Sequence, residues 1–402
     1  MHCRSCGTEG LELILDLGNH AWCNHFLTKE EIGTEQTYPL RMVRCSDCTL
    51  VQLDYTVPKE TMFKNHTYVS GTTHTLGKHF YNLAKINIAR YNLNHSSLIV
   101  DIGGNDGTQL LQYKKLGCEN VVNVESADNI AALARKAEVI TDNEFFNEAY
   151  VNQSGMEGKA KLVSASGVFF HLEELDSVCK GIYKLLADDG VFCVQFMYLG
   201  DMITKGSFDG IYHEHLCYYS LWSIARLLNK YDLYINRVER SPIHGGSVVI
   251  WASKLTKRTD LTQLLEFYEQ VDKITTSHKA ITKFATGVIN TKERLLQDIQ
   301  THGPIMGIGA PAKGNTLLTY LGVTENDIMY LTESNPMKVG LYTPVTHIPI
   351  KQESIGAVQS AIYFGIDRHY FVLAWNFFEE IKKKYPENTK FIVPFGDKEC
   401  KT

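Results

Sequence analysis

Apolar and polar positions alternate along the middle of the chain in two rhythms. Short apolar runs at Leu98–Gly104 (LIVDIGG), Val121–Ser126 (VVNVES), Lys161–Ser166 and Val191–Met197 have the length and β-rich composition of buried strands. Between them lie stretches with helical spacing, such as Asn129–Lys136 and Ser177–Leu186. That alternation predicts a parallel sheet with helices on both faces. Tyr234–Glu239 and Ser247–Ala252 then follow one another with Pro242 and Gly245-Gly246 between them, which predicts a closing antiparallel hairpin. From about Asp260 to Thr301 apolar residues recur near helical spacing without a proline, so one long helix or two should lead to a last unit. There Pro304–Gly309, Ile328–Leu331, Phe371–Ala374 and Phe391–Pro394 read as strands and Ala312–Leu321 as a helix, forming a second, smaller α/β layer. The expected division is residues 1–70, 71–255 and 256–402.

Composition narrows the class. The chain has 402 residues, 44% hydrophobic and 21% charged, which suits a folded globular protein with a sizeable core. The formal net charge of −5 comes with no long basic run, which argues against a tight nucleic-acid binder. The chain opens Met-His-Cys-Arg-Ser-Cys, without the look of a signal peptide, and holds no apolar stretch long enough to span a bilayer. A cytoplasmic protein, away from membranes, is expected. Of ten cysteines, four form the pairs Cys3-x-x-Cys6 and Cys45-x-x-Cys48, separated by 38 residues. A two-residue spacing lets one turn aim two thiolates at one ion, so the two pairs predict a closed, structural four-cysteine Zn2+ site. The alternative is four unmetallated thiols.

Asp101-Ile-Gly-Gly-Asn-Asp-Gly107 ends the first strand of the central unit, where ligands bind in open α/β sheets. It fails the G-x-G-x-x-G register of a dinucleotide site. It suits a ligand without a pyrophosphate, S-adenosylmethionine, cradled by Asp101, Gly103, Gly104, Asn105 and Gly107. Glu125, 22 residues after Gly103, stands at the second strand tip, where an acid can accept hydrogen bonds from ribose hydroxyls, with Ser126 beside it. A ligand-free strand-to-helix turn is the competing reading. Tyr212-His-Glu-His215 brings two histidines and an acid together, but a spacing of two residues does not fit the zincin pattern, so proton transfer is preferred to a catalytic metal. Gly307-Ile-Gly309-Ala310-Pro-Ala312 matches G-x-G-x-x-A, and Lys313, Gly314 and Asn315 open the following helix, where amides and dipole favour an anion. A nucleotide site is expected there, with a ligand-free turn or a nicotinamide site as alternatives.

In their order, the paired cysteines, DIGGNDGT, FDGIYHEHLCYYS, HGGS at 244–247 and GAPAKGNTLL at 309–318 resemble the sugar C-methyltransferases. The resemblance runs over nearly the whole chain. It implies a Rossmann-like methyltransferase core between an N-terminal zinc-binding domain and a C-terminal Rossmann-like domain that holds the nucleotide of an NDP-sugar. It also implies a monomer acting on a dTDP- or GDP-linked 4-keto-deoxysugar, methylated at carbon 3 through an enolate. It places Tyr212, Glu214 and His215 in the active site with His215 as base, His171 and Tyr68 in the pocket, and Gly309, Ala310, Lys313, Gly314 and Asn315 on the nucleotide-sugar. The chain departs from the family pattern at Gln195, at Glu333-Ser334 and across His20–His25 (HAWCNH). The competing functions are methylation of an oxygen or nitrogen on another metabolite, a zinc-knuckle RNA-binding protein, and an NAD enzyme.

Overall fold

The computed structural model describes residues 2–59, 62, 69–72, 74–254, 261–356, 358 and 369–396. Three sheets organise them. The first is antiparallel and built from β1 (Leu11–Ala21), β2 (Thr37–Cys45) and β3 (Val51–Leu53). Its strands escaped the sequence reading, because the segment was dominated by its cysteines.

The central sheet contains β4 (Leu98–Ile102), β5 (Val121–Val124), β6 (Ile140–Asp142), β7 (Ala160–Ser166) and β8 (Leu186–Met197), all parallel. A two-residue strand, β9 (Cys217–Tyr218), leaves this region and pairs with β3, so the first sheet runs β1-β2-β3-β9. The catalytic-segment candidate Tyr212–His215 is thereby anchored directly upstream of a strand in the N-terminal sheet. The predicted hairpin is present as β10 (Tyr234–Ser241) and β11 (Ser247–Ser253), antiparallel to one another and to β8. The sheet order is β10-β11-β8-β7-β4-β5-β6. Chain order reverses beside β4, which opens a crevice at the carboxyl ends of β4, β5 and β7.

β4, β5 and β7 are buried almost throughout because helices cover both faces, which is why they read as continuous apolar runs. The helix His74–Tyr91 is fastened to the sheet by a buried relay. The Trp251 indole donates to Asn87 Oδ1 at 2.7 Å, and Asn87 Nδ2 donates to the Tyr113 hydroxyl at 2.7 Å.

The long helical stretch is broken. A helix at Thr262–Phe267 runs through a π-turn, Tyr268–Asp272, and ends after Lys273–Thr275. His278–His302 starts afresh with Ser277 as its cap, accepting from Ala280 N, a contact worth about 1 kcal/mol. The break follows buried Asp272, whose carboxylate accepts from Tyr198 Oη and from the amides of Leu221 and Trp222. The third sheet is wholly parallel: β12 (Ile305–Ile308), β13 (Ile328–Glu333), β14 (Ile350–Gln352), β15 (His369–Val372) and β16 (Lys390–Ile392), in the order β14-β13-β12-β15-β16. One apolar cluster joins β1 and β2 residues Leu15, Leu17 and Leu40 to Ile281, Leu317 and Phe371, so the N- and C-terminal sheets share a core. No described helix is long and apolar enough to cross a membrane.

Candidate active site

The glycine turn after β4 puts Gly103 (φ 60°), Asn105 (φ 55°) and Gly107 (φ 79°) in the left-handed region. A Cβ at Gly103 would lie 2.7 Å from Val168 and one at Gly104 2.5 Å from Asn123 Oδ1, so both glycines are needed for close packing. Glu125 accepts from Asn105 N at 3.0 Å and from Ala127 N at 2.8 Å, which fixes its carboxylate on the cavity rim. The cavity holds about 1170 Å³ of empty space, its open mouth included. Gly103, Asn105, Glu125, Ser126 and His171 all line it.

The other expected cofactor residues stand behind that wall. Asp101 is buried, accepting from Ser164 Oγ at 2.6 Å and Gln109 Nε2 at 3.3 Å. Burial pushes its carboxyl up to about 7. Gly107 packs on Val139 as the residue before the helix Thr108–Lys115. Asp101, Gly104 and Gly107 thus shape the turn and do not line the cavity.

His171 carries the site from this cavity toward the Tyr212–His215 segment. Its Nδ1 lies 2.6 Å from the Glu214 backbone oxygen. A carbonyl only accepts, so Nδ1 holds the proton. The His171 and His215 rings are 5.0 Å apart between centroids. His215 is buried, packs against Tyr212 at 3.8 Å and Phe170 at 4.5 Å, and donates Nδ1–H to Gly210 O at 2.8 Å. Its Nε2 is therefore the nitrogen with the lone pair. Burial, reinforced by His171, holds this imidazole well below the usual histidine range, so it is neutral at neutral pH. Burial and the nearby Glu214 carboxylate push the Tyr212 phenol well above its ordinary value, so it stays a donor. Tyr68 lies outside the described residues.

The C-terminal candidates divide. Lys313 Nζ sits 3.5 Å from Asp209 Oδ2 and 4.1 Å from the centre of the Trp375 ring, while Trp375 Nε1 donates to Asp209 Oδ2 at 2.6 Å. Burial lowers the lysine and raises the aspartate. His244, in HGGS, lies exposed near Lys313.

Asn315 is not placed as expected. It is buried and donates to Cys23 O at 2.7 Å, and the next residue, Thr316, donates to Ile211 O at 3.0 Å. This helix start latches two loops of the site, which the motif alone could not show. Gly309 (φ 80°) and Gly314 let the turn and helix approach Ala374 and Leu373 closely. Ala310 N donates to Glu333 Oε2 at 2.9 Å, in a copy of the Asn105–Glu125 arrangement.

Sequence reading missed Trp22 and Asn24, which both donate to Glu214 Oε1. It also missed Asp209, Trp375 and His79. Asp209 stood inside a quoted motif. His79, bonded to Gln195 Oε1 at 2.5 Å, gave no local signal.

Cys3, Cys6, Cys45 and Cys48 converge with all four sulfurs within 4.8 Å of one another. The Cys3–Cys48 and Cys6–Cys45 pairs are 3.5 Å apart. Four thiolates around tetrahedral zinc at ~2.3 Å stand roughly 3.8 Å apart, so the cluster fits the ion with little adjustment.

A reversed hairpin closing a parallel sheet, with a glycine turn and a strand-tip acid rimming one cavity, defines an S-adenosylmethionine-dependent methyltransferase. The chain matches a zinc binding domain over residues 3–63, a methyltransferase domain over 78–238 and a C-methyltransferase C-terminal domain over 242–395. It is 28% identical to the C-methyltransferase NovU of Streptomyces niveus, across 98% of this chain and 95% of that one. These matches are those of a C-methyltransferase, and the cofactors are S-adenosylmethionine and structural zinc. Among solved structures it is similar to geranyl diphosphate C-methyltransferase from Streptomyces coelicolor A3(2), at 11% identity, TM-score 0.36, over 46% of this chain and 83% of that one. Another is magnesium protoporphyrin IX methyltransferase from Synechocystis PCC 6803, at 16% identity, TM-score 0.35, over 44% and 83%.

Proposed function

We propose that the protein methylates carbon 3 of a nucleotide-linked 4-keto-deoxysugar, with His215 as the base. The observation that carries this reading is the His215 tautomer. Its Nδ1–H is committed to Gly210 O, and its Nε2 lone pair sits in a buried pocket one imidazole away from the cofactor cavity. A 4-keto group acidifies the proton on the neighbouring carbon. His215 Nε2 removes that proton, and the Glu214 carboxylate favours the imidazolium that results. Tyr212 donates its phenolic O–H to the enolate oxygen. S-adenosylmethionine supplies an electrophilic methyl group to the carbanion-like carbon.

Lys313, held by Asp209 and Trp375, would meet the diphosphate of a dTDP- or GDP-linked sugar. Gly309, Ala310 and Gly314 shape the turn beside it, and Tyr68 would complete the pocket. In this reading residues 1–70, 71–255 and 256–402 act as zinc, methyltransferase and nucleotide-sugar domains of a cytoplasmic monomer. The test is a substrate deuterated at carbon 3. Carbon methylation there releases the label to water in step with turnover; full retention in a methylated product would place the methyl group on an oxygen, a nitrogen or another carbon.

A further inference from the structure

The Glu214 side chain is gripped from outside the catalytic segment. Trp22 Nε1 and Asn24 Nδ2 each donate to Glu214 Oε1 at 2.5 Å. Both donors come from one turn directly after β1, closed by His25 N to Trp22 O at 3.1 Å. Between them, Cys23 O is held by Asn315 Nδ2 from the third sheet's first helix. The N-terminal turn is thus fixed on one side by the C-terminal unit and presses two N–H groups against a carboxylate that is 2% exposed.

A carboxylate's last torsion is broad and soft when left alone. Two donors converging on one oxygen define it. The backbone of the same residue carries the acceptor for His171 Nδ1, and His215 is its chain neighbour. Displacing Glu214 therefore disturbs both imidazoles. Neither Trp22 nor Asn24 lines the cofactor cavity.

We infer that Trp22 and Asn24 are positioning residues for methyl transfer, acting through Glu214. The inference rests on the reading of His215 as base and adds the N-terminal turn to its machinery. Trp22→Phe keeps the ring and removes the N–H; Asn24→Leu keeps the volume and removes the amide. With a dTDP-linked 4-keto-6-deoxyhexose, each should lower kcat roughly tenfold, the scale of a small misplacement of reacting groups. KM for S-adenosylmethionine and zinc content should stay unchanged.

In a Glu214→Ala background, followed with radiolabelled methyl, Trp22→Phe should cost nothing further, because residues acting as a unit are not additive. A second tenfold loss there would overturn the inference. Wild-type enzyme that fails to turn over the keto-sugar sinks the acceptor reading instead. The inference is then decided by nitrogen-15 shifts of the His171 imidazole. They should show loss of the fixed Nδ1–H form in the Trp22→Phe, Asn24→Leu double variant, and an unchanged spectrum overturns it.

Discussion

His171 and His215 face one another at 5.0 Å between ring centroids, and each donates its Nδ1–H to a backbone carbonyl, that of Glu214 for the first and Gly210 for the second. The two rings are therefore held in the same tautomer by main-chain acceptors. Only His215 is sealed among Tyr212 and Phe170, whereas His171 also borders the cofactor cavity. In the proposed reaction the first of these would remove the proton and the second would stand between cofactor and acceptor.

Replacing the first ring should separate chemistry from binding. His215→Gln is expected to lower kcat by roughly 10² to 10⁴, the range of a lost general base. The cavity that holds S-adenosylmethionine is not lined by His215, so calorimetric affinity for S-adenosylhomocysteine should be preserved. Near wild-type turnover in this variant would remove His215 from the role of base.

The same burial sets a pH signature. His215 is held well below 6.5 by desolvation, then by His171, and His20 is pushed down to about 4, mainly by burial. The folded state keeps these rings neutral while the unfolded chain protonates them below about pH 6.5. Stability contributed by these neutral rings is complete above pH 6.5 and is lost as pH falls toward 4. Thermal unfolding at fixed ionic strength should show Tm dropping across that window, with a shallower drop in His20→Gln. The acid limb of kcat/KM should also lie clearly below pH 6.5, and a limb at 6.5 or above would contradict a buried neutral base.

How far the sequence carried this picture depends on whether the signal was local. β4 and its glycine turn were legible because an apolar run, three left-handed positions and an acid at the next strand tip lie within one βαβ unit. The four cysteines were legible because each pair already has zinc spacing. Asn315 was misplaced because the motif reports a helix start, while its partner, Cys23 O, is almost 300 residues away in sequence. Trp22 and Asn24 were invisible as site residues for the same reason. Their stretch was noted only as unusual, and nothing in it announces a carboxylate in the YHEH segment. One helix or two was expected here; the position of the break, before Ser277, was not legible because the apolar spacing continues through it, and the buried carboxylate of Asp272 that accompanies it is set by tertiary contacts.

Asp101 yields a test that separates shaping from binding. Desolvation raises its carboxyl to about 7, against 3.8 for an unhindered one. Between those values the folded protein binds the extra proton, so wild type loses stability as pH rises from about 4 through 7 and no further above. Asp101→Asn keeps the neutral shape and escapes that loss. Its Tm advantage over wild type should grow from pH 5 to pH 8, while S-adenosylhomocysteine affinity stays within a few-fold. A large affinity loss without the pH-dependent Tm gain would mean that the carboxylate contacts the cofactor after all.

The zinc cluster is far from the chemistry in sequence and close to it in construction. Cys45 ends β2, whose neighbour β3 pairs with β9, and β9 begins two residues after His215. β1, paired with β2, delivers Trp22 and Asn24. Loss of the ion therefore loosens the sheet that fixes both sides of Glu214. Cys45→Ser should lose most bound zinc by mass spectrometry and destabilise the fold by more than about 3 kcal/mol, since loss of a metal belongs among the large-effect mechanisms. Methyl transfer should fall more steeply than S-adenosylhomocysteine affinity, because that cavity is built chiefly on the central sheet. A zinc-free variant that keeps both Tm and turnover would show that the cysteines hold no structural ion that matters to the site.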